Sequence, residues 1–167
     1  MAFDATCDLL KQRFGPDSFT TSEFRDNRRI HVSPERLFDT LKCLKEEGGF
    51  DQLSELCAAD YLNYPGARDR FGLWYILVNI ATGERVVVKT FLNEPDISIT
   101  SVFPLWKGAD WMEREVYDMY GVTFVDHPDL RRILMPEEFT GYPLRKDYPL
   151  RGRGERHNFP VLTRAES

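Results

Sequence analysis

The chain has 167 residues, of which 42% are hydrophobic and 29% are charged, and this is enough sequence for one globular domain with its own core. Residues 1–130 carry 14 Lys or Arg against 22 Asp or Glu, a net charge of −8, whereas residues 131–167 carry 8 against 5, a net charge of +3. The negative charge of residues 1–130 argues against a general nucleic-acid-binding protein, because such domains are usually basic. The longest apolar run, Leu73–Val78, is far shorter than the roughly 20 residues that span a bilayer, so the sequence predicts no transmembrane helix.

The amino-terminal segment and the cysteines indicate the compartment in which we expect the protein. Met1–Leu10 contains acidic but no basic side chains, so we expect neither a secretory signal nor a mitochondrial transit peptide. Cys7, Cys43 and Cys57 are widely spaced and form no CxxC pair of the kind that holds zinc or an iron–sulfur cluster. We therefore expect free thiols, buried or half-buried, in a reducing cytoplasm.

The first third of the sequence predicts two helices separated by a hairpin. Apolar residues recur at helical spacing over Asp4–Phe14. The short runs Ser18–Phe24 and Arg29–Val32 are typical of a β-hairpin. A second helix begins at Ser33-Pro34-Glu35, which supplies an N-cap, a proline at the first helical position and an acid in the first turn, and it ends at Gly48-Gly49.

Three strands are predicted in the middle of the chain. They cover Leu53–Leu62, Arg70–Ile80 and Glu84–Leu92, where β-branched and aromatic residues are frequent. Helix, two strands, helix and three strands predict an α+β domain of two layers. Both helices then cover one face of a mostly antiparallel sheet, because a sheet must bury its apolar face against another element.

A further short helix and an extended arm are predicted for the rest of the chain. Asp110 is a candidate N-cap that forms a capping box with Glu113, and the helix ends at Tyr120-Gly121. Prolines then recur among Arg, Gly and Tyr, which excludes a long helix. We therefore divide the chain into an α+β domain over residues 1–135 and an extended C-terminal arm over residues 136–167 that depends on a partner for its order.

The densest group of ionisable side chains lies in this last third. Its members are Glu113, Arg114, Glu115, Asp118, Asp126, His127, Asp129, Arg131 and Arg132. One hypothesis is a general acid–base site in which His127 works with Glu115 or Asp118. The alternative is a helix whose polar face pairs these two carboxylates with Arg114 or Arg131. No Ser or Cys nucleophile stands near His127 in the sequence, which favours the ion pairs.

Motifs for metal or phosphate binding are absent from the sequence. His31, His127 and His157 are far apart and form no HExxH pattern. Gly152-Arg153-Gly154 is not followed by a helix pattern and is not a phosphate-binding loop. The sequence therefore predicts no metal site and no catalytic or cofactor-binding residue on this chain.

The basic tail mixes cationic with apolar side chains. Its cations are Arg145, Lys146, Arg151, Arg153 and Arg156, interleaved with Tyr142, Pro143, Leu144, Tyr148, Pro149 and Leu150. Nucleic acid or anionic lipid is one possible partner, but Arg and Tyr beside apolar residues favour docking onto an acidic protein surface. A nearby group of aromatics favours core and interface packing over a stacking platform, namely Trp106, Trp111, Tyr117, Tyr120 and Phe124.

Four stretches carry a specific pattern almost continuously between residues 106 and 148. They are WKGADW from Trp106, EREVYDMYGV from Glu113, HPDLRRILMP from His127 and GYPLRKDY from Gly141. Together they resemble the 30 kDa subunit family of respiratory complex I. The upstream order of elements also fits the α+β domain of that family, so the resemblance covers essentially the whole chain.

The resemblance implies a subunit without flavin, cluster or quinone of its own. It implies that FMN, iron–sulfur clusters, NADH and a quinone belong to other subunits, and that this chain packs mainly against the 49 kDa-type quinone-site subunit, near the iron–sulfur subunits of the peripheral arm. The signature residues expected at subunit interfaces are Glu113, Arg114, Glu115, Tyr117, Asp118, Tyr120, Gly121, His127, Pro128, Arg131, Arg132, Pro143, Arg145, Lys146, Asp147 and Tyr148. We expect alanine at Arg145 or Asp147 to weaken assembly more than it destabilises the isolated domain.

The implied function is a structural and assembly subunit of a bacterial NADH:quinone oxidoreductase that couples electron transfer to proton translocation. The expected location is peripheral, on the cytoplasmic side of the inner membrane. The chain ends soon after the signature and lacks a transit peptide, so we expect a separate bacterial subunit and not a form fused to the 49 kDa part. The alternatives are the equivalent subunit of a membrane-bound hydrogenase or ferredoxin–quinone oxidoreductase and, from another class, a free-standing acid–base enzyme.

Overall fold

The computed structural model describes residues 3–25 and 27–154, and within them the chain forms three helices and seven strands. The helices are α1 (Phe3–Phe14), α2 (Pro34–Glu46) and α3 (Ala109–Tyr120). The strands are β1 (Thr20–Phe24), β2 (Asn27–His31), β3 (Gln52–Asp60), β4 (Phe71–Val78), β5 (Arg85–Leu92), β6 (Ser98–Thr100) and β7 (Thr123–Val125). No helix in this described part is both long and apolar enough to cross a membrane.

Five strands form one mixed sheet in the order β1-β2-β5-β4-β3. Neighbouring strands are antiparallel except for β2 and β5, which pair in parallel. β6 and β7 form a separate two-stranded parallel sheet. The α+β class and the mostly antiparallel sheet predicted from the sequence are confirmed.

The first two helices, the hairpin and the three central strands lie where the sequence predicts them, with ends that differ by a few residues. The sequence does not predict β6 and β7, because strands of three residues are too short to show an alternating pattern. Nor does it predict the parallel pairing of β2 with β5, which are separated along the chain by α2, β3 and β4. Such pairings are decided by tertiary packing.

The five-stranded sheet has one buried face and one half-open face. The cross-strand row on the buried face consists of Ile30, Val88, Tyr75 and Leu56, none more than 5% exposed. Leu10 of α1 and Leu37 and Leu41 of α2 are fully buried in the same core, so these helices cover this face as predicted. The next row, on the opposite face, consists of His31, Lys89, Trp74 and Cys57.

The three cysteines are free thiols. Cys7 and Cys43 are buried, and Cys57 is half-buried. Burial raises the pKa of each thiol above its usual value, which favours the unreactive protonated form. The predicted burial and free state are therefore confirmed.

The start of α3 differs from the sequence prediction. Gly108 occupies the N-cap position, and Asp110 lies inside the first turn of the helix. The Glu113 carboxylate bonds to the Ser101 hydroxyl and the Val102 N–H, so it is not part of a capping box. The predicted capping box is therefore wrong, because the tertiary structure supplies better donors to Glu113 than the helix end does.

The end of α3 requires glycine for two reasons. Gly121 has φ +78°, a left-handed conformation, and its N–H donates to the Tyr117 carbonyl oxygen at 2.8 Å. A Cβ atom at this position would also lie 2.6 Å from the ring of Tyr142 and 2.7 Å from a guanidinium nitrogen of Arg145. Gly121 therefore ends the helix and lets the arm approach its backbone closely.

Residues 136–154 fold back onto the domain that precedes them. Phe139 is 5% exposed, and the Leu144 N–H donates to the Met119 carbonyl oxygen of α3 at 3.1 Å. Residues 136–154 therefore have contacts within their own chain. The expectation that the arm depends on a partner for its order stays a prediction, as does docking of the arm on a partner. The rest of the arm, which includes Arg156, His157 and Pro160, lies outside the described residues.

Candidate functional site

The carboxylate of Asp118 anchors the loop that follows β7. Its Oδ2 atom accepts hydrogen bonds from the backbone N–H groups of Ile133, Leu134 and Met135 at 3.1, 2.7 and 2.8 Å. Its Oδ1 atom accepts one from Arg132 at 2.6 Å, and the side chain is fully buried. Burial raises the pKa of Asp118, but these donors outweigh burial and hold the pKa below its usual value.

Two arginines fasten the same loop to α3 and to the arm. Arg132 also donates to the Gly141 carbonyl oxygen at 3.0 Å. Arg114 donates from Nε and Nη2 to the carbonyl oxygens of Arg131 and Arg132 at 3.1 and 3.2 Å. The predicted pairing of Asp118 with Arg114 or Arg131 is therefore wrong.

A second buried carboxylate, Asp60 at the end of β3, holds the arm. It accepts hydrogen bonds from the backbone N–H groups of Leu62 and Lys146 at 2.9 and 2.8 Å. Arg70 donates to both Asp60 oxygens at 3.3 and 3.2 Å and also reaches Asp147 at 2.8 Å. Burial raises the pKa of Asp60, but these donors hold it below its usual value.

Arg145 adds a third attachment between the arm and the domain. Its Nε atom donates to the Tyr120 carbonyl oxygen at 2.5 Å, and its Nη1 atom donates to Glu94 at 3.1 Å. The other carboxylate oxygen of Glu94 accepts from Arg70 at 2.7 Å, so Glu94 bridges the two arginines. The Arg145 guanidinium also lies 5.2 Å from the ring centroid of Phe71. Arg145 is therefore engaged within its own chain.

Glu113 is a fully buried carboxyl group without an arginine or lysine partner among the described residues. Ser101 Oγ donates to its Oε2 atom at 2.6 Å, and the Val102 N–H donates to Oε1 at 2.7 Å. Burial, with a smaller contribution from the nearby Asp110, raises the pKa of Glu113 to about 7, although the two hydrogen bonds act in the opposite direction. This carboxyl group changes its charge near neutral pH.

His127 lies beside Glu113, and its side chain is fully buried. The Asp129 N–H donates to Nδ1 at 3.1 Å, so we assign the ring proton to Nε2, which is 3.3 Å from the Asp110 carbonyl oxygen. The Nε2 atom is 3.5 and 3.8 Å from the carboxylates of Asp110 and Glu113. His127 therefore joins the loop after β7 to the first turn of α3.

This geometry contradicts the acid–base site considered from the sequence. Glu115 is exposed on the other side of α3, and Asp118 is saturated by the loop donors. His127 contacts neither Glu115 nor Asp118. Its ring is fully buried, so a substrate cannot reach it. The cluster fastens backbone segments to one another.

The raised pKa of Glu113 makes stability depend on pH. The folded chain keeps a proton that the unfolded chain, with a glutamate pKa of 4.5, releases, so stability falls as pH rises from about 4.5 to about 7. At about 1.4 kcal/mol per pKa unit, the expected loss is about 3 kcal/mol. Urea unfolding between pH 4.5 and 8 measures this loss, and Glu113→Gln, which resembles the protonated acid, should remove it.

The matched control is Glu115→Gln, because Glu115 is an exposed glutamate in the same helix. That variant should keep the pH dependence of the native chain. If Glu113→Gln and the native chain lose the same stability over this range, another group titrates and the assignment to Glu113 is wrong.

The predicted interface residues fall into three groups in the structure. Those held by internal bonds in buried or half-buried positions are Glu113, Arg114, Asp118, His127, Arg132 and Arg145. The exposed ones are Glu115, Pro128, Arg131, Lys146 and Asp147. The remaining ones shape the packing of α3 and the arm, namely Tyr117, Tyr120, Gly121, Pro143 and Tyr148. Exposed and half-buried members remain available to a partner, whereas the buried ones hold the surface in place.

Sequence reasoning missed the residues that hold the arm. Asp60, Arg70 and Glu94 lie far upstream of the signature and meet the arm only through the fold. The one available signal was a charged residue at the facing ends of two strands, Asp60 at the end of β3 and Arg70 just before β4. Charged strand ends are common, so that signal alone did not single them out.

A metal or cofactor site can be tested against the same side chains. Within residues 3–25 and 27–154, no three His, Cys, Asp or Glu side chains are placed to hold a metal ion. The buried carboxylates of Asp60 and Asp118 already have their oxygens filled by internal donors. The expectation that this chain binds no cofactor stays a prediction.

Most of the chain matches a known protein family and its relatives. The profile of the family described as "Respiratory-chain NADH dehydrogenase, 30 Kd subunit" matches residues 30–154. A subunit of the NADH-quinone oxidoreductase of Citrifermentans bemidjiense is 43% identical over 143 residues, which are 86% of this chain and 87% of that protein.

Two solved structures have a similar fold. A trypsin-resistant fragment of Nqo5, residues 1–134, superposes with a TM-score of 0.68 at 30% identity, covering 75% of this chain and 99% of the fragment. A chain of the membrane-bound sulfane sulfur reductase, an archaeal respiratory membrane complex, gives a TM-score of 0.75 at 22% identity, covering 96% and 92% of the two chains, and shows the fold alone. By its sequence match, the chain belongs to the family of the 30 kDa subunit of respiratory-chain NADH dehydrogenase.

Proposed function

We propose that this chain is a structural subunit of the peripheral arm of a bacterial NADH:quinone oxidoreductase. In this role it supports electron transfer from NADH to a quinone, coupled to proton translocation, by holding neighbouring subunits in place. The observation that carries the proposal is the 43% identity, over 86% of the chain, to the NADH-quinone oxidoreductase subunit of Citrifermentans bemidjiense. At that identity and coverage, relatives ordinarily occupy the same place in their complexes.

The alternative is the equivalent subunit of a related membrane complex with another electron donor. The fold alone does not choose between them, since a chain of an archaeal sulfane sulfur reductase has it as well. The sequence relatives favour the first reading, because those at about 40% identity over most of the chain are NADH-quinone oxidoreductase subunits. NADH is therefore the favoured donor.

The chemistry of electron transfer belongs, in this proposal, to other subunits that hold FMN, iron–sulfur clusters and the quinone. The ionisable residues of the signature support a non-catalytic role, because Glu113, Asp118 and His127 are buried and bonded within the chain. Their observed work is to attach the loop after β7 and the arm to α3.

The main partner we propose is the 49 kDa-type quinone-site subunit, with iron–sulfur subunits nearby, on the cytoplasmic side of the membrane. Exposed apolar side chains support a protein partner at the signature. Of the ten large apolar residues that are exposed in the described part of the chain, six lie between residues 111 and 150, namely Trp111, Val125, Ile133, Leu134, Leu144 and Leu150. Leu144 and Leu150 of this set lie in the arm, next in sequence to the basic residues Arg145 and Arg151.

The structure changes the expectation for Arg145 and Asp147. Arg145 bonds to the Tyr120 carbonyl oxygen and to Glu94, so alanine at this position should destabilise the chain itself. Asp147 is half exposed, and its one described bond is to Arg70. Asp147→Ala therefore remains the variant expected to weaken assembly more than stability.

Affinity purification of the tagged full-length chain from membranes of its own host tests the proposed function. We expect it to bring down an assembly that contains the flavin-bearing and iron–sulfur subunits and that oxidises NADH with a quinone as acceptor. The chain produced alone should contain no stoichiometric flavin or iron and should not oxidise NADH. Recovery with hydrogenase subunits, or NADH oxidation by the chain alone, would contradict the proposal.

A further inference from the structure

A lysine lies in an aromatic cage on the half-open face of the five-stranded sheet. Lys89 Nζ is 4.3, 4.4 and 5.0 Å from the ring centroids of Phe91, Trp74 and Tyr61, and Lys89 is only 6% exposed. Gly72 forms the floor, where a Cβ atom would lie 2.9 Å from the Tyr61 ring and 3.3 Å from Lys89 Cε. Trp74 of β4 and Phe91 of β5 therefore form two walls of the cage. Glycine is required at position 72, because a side chain there would collide with Tyr61.

The ring faces attract the caged ammonium group, but its hydrogen bonds and its charge are only partly compensated within the chain. It has three N–H donors, and one acceptor, the Tyr61 hydroxyl, lies at 3.1 Å. No carboxylate of the described residues lies within 4.0 Å of it. Burial lowers the pKa of Lys89 to about 8, with Arg29 contributing. A buried cation without a counter-ion is costly, which favours an acceptor from outside the chain.

An open cavity of about 450 Å³ leads to this group. Its lining includes Lys89, Phe91 and Tyr61 of the cage, together with Tyr64, Arg68 and Asp69. The Asp69 carboxylate is held by Asn93 at 2.7 Å, so the cavity presents Lys89 and Arg68 as its cations. The aromatic rings that could bind a cation are already occupied by Lys89, and the positive charges of Lys89 and Arg68 would repel a second cation. The cavity therefore suits an anionic group.

The surroundings of the cavity fit a protein surface. The half-open face carries a set of half-buried apolar side chains, which consists of Trp74, Ile76, Val78, Val87 and Phe91. Arg29 lies beside Lys89 on the same face and Arg68 lines the cavity, so this region is cationic although residues 1–130 have a net charge of −8. An apolar surface around a single buried cation complements a carboxylate side chain flanked by apolar residues.

We propose that Lys89 receives an aspartate or glutamate side chain of a neighbouring subunit, and that this ion pair seats the half-open face of the sheet against that subunit. The inference rests on the proposed function, since it needs the assembled complex. It assigns to this face a second docking surface, separate from the signature around α3 and the arm.

Zero-length carbodiimide coupling of the purified complex tests the contact directly, because the reagent joins an amine only to a carboxylate that touches it. Peptide mass spectrometry should find Lys89 linked to an Asp or Glu of another subunit. A link from Lys89 to its own Asp69 would overturn the proposal.

Variants give the quantitative test. Lys89→Met keeps the apolar stem and removes the charge, so we expect the chain produced alone to melt at or above the native temperature. Its co-purification with the complex should fall roughly tenfold or more. Lys89→Arg, which retains a cation, should recover part of the loss. The matched control is Lys42→Met, because Lys42 is exposed on α2, on the other side of the sheet.

The outcomes separate this inference from the proposed function. If the native chain and Lys42→Met co-purify with an NADH-oxidising complex and Lys89→Met does so equally well, the docking inference is wrong and the proposed function stands. If Lys89→Met melts at a lower temperature but its folded fraction assembles as the native chain does, Lys89 acts in folding alone. That result also overturns the docking inference. If the native chain itself brings down no such complex, the proposed function fails.

Discussion

Replacing Asp118 by alanine is expected to lower the free energy of unfolding by about 3–5 kcal/mol. The side chain is fully buried, and its removal leaves Arg132 and three consecutive backbone N–H groups, at residues 133–135, without their acceptor. Each buried donor left unpaired costs about 1–3 kcal/mol, and partial access of water to the loop reduces the sum. Urea unfolding of the variant and the native chain at pH 7 measures the difference.

Asp129→Ala is the matched control for this variant. The Asp129 side chain is 55% exposed and pairs with Arg131 on the surface, so its loss should cost less than about 1 kcal/mol. Hydrogen exchange adds a local measurement, because the amide protons of residues 133–135 should exchange much faster in Asp118→Ala than in the control. Equal unfolding midpoints for the two variants would show that Asp118 is not the anchor of this loop.

Asp60→Ala is the second variant with a large expected effect, a loss of about 3–4 kcal/mol. Asp60 is fully buried and neutralises Arg70, which is itself only 13% exposed. It also accepts the Lys146 N–H, so the variant should release the arm from the end of β3 as well as leave a buried guanidinium with less compensation. Thermal unfolding measures the first effect, and limited trypsin cleavage after Arg145 and Lys146 measures the second.

Asp147→Ala separates these two effects, because Asp147 pairs with the same arginine from an exposed position. Its side chain is 50% exposed, so the loss should be below about 1 kcal/mol, with little change in cleavage. If Asp147→Ala costs as much as Asp60→Ala, the arginine is held mainly from the arm side, and the buried carboxylate is not the anchor.

The two anchors and Glu113 act in different pH ranges. Asp60 and Asp118 have pKa values below the usual 3.8, so their contribution is present above about pH 4 and is lost as pH falls. Glu113 has a raised pKa, and its contribution is lost as pH rises from 4.5 to about 7. The summed contribution of these three carboxyl groups should therefore be largest in mildly acidic solution, between these two ranges.

Within the proposed function, the hydrogen bonds of Asp60 and Asp118 explain how the signature residues are held in position for a partner. Buried carboxylates hold the loop after β7 and the arm to α3, and this fixes the positions of exposed residues such as Arg131 and Lys146. An interface whose residues are already fixed loses less conformational entropy on assembly.

Prediction from the sequence succeeded where local pattern and burial coincide. The helical spacing of apolar residues in α1 and the frequent β-branched and aromatic residues in β4 and β5 each coincide with a buried face in the structure. The capping box at Asp110 failed because the same residue types occur in caps and in tertiary networks. Glu113 stands at the capping-box spacing, yet it bonds to residues 101 and 102, which precede the helix by a full loop.

The amino-acid sequence by itself determined the α+β class, the helices and central strands, the free thiols, and the family, because each depends on local periodicity or on a long contiguous signature. Only the tertiary structure decided which charges pair, that residues 136–154 attach to their own domain, and that Lys89 lies in a cage without a carboxylate. Pairing of charges depends on distances between segments far apart in the chain. Asp60 and Lys146 meet only after β3, α3 and the arm have packed together, and no spacing in the sequence records that contact.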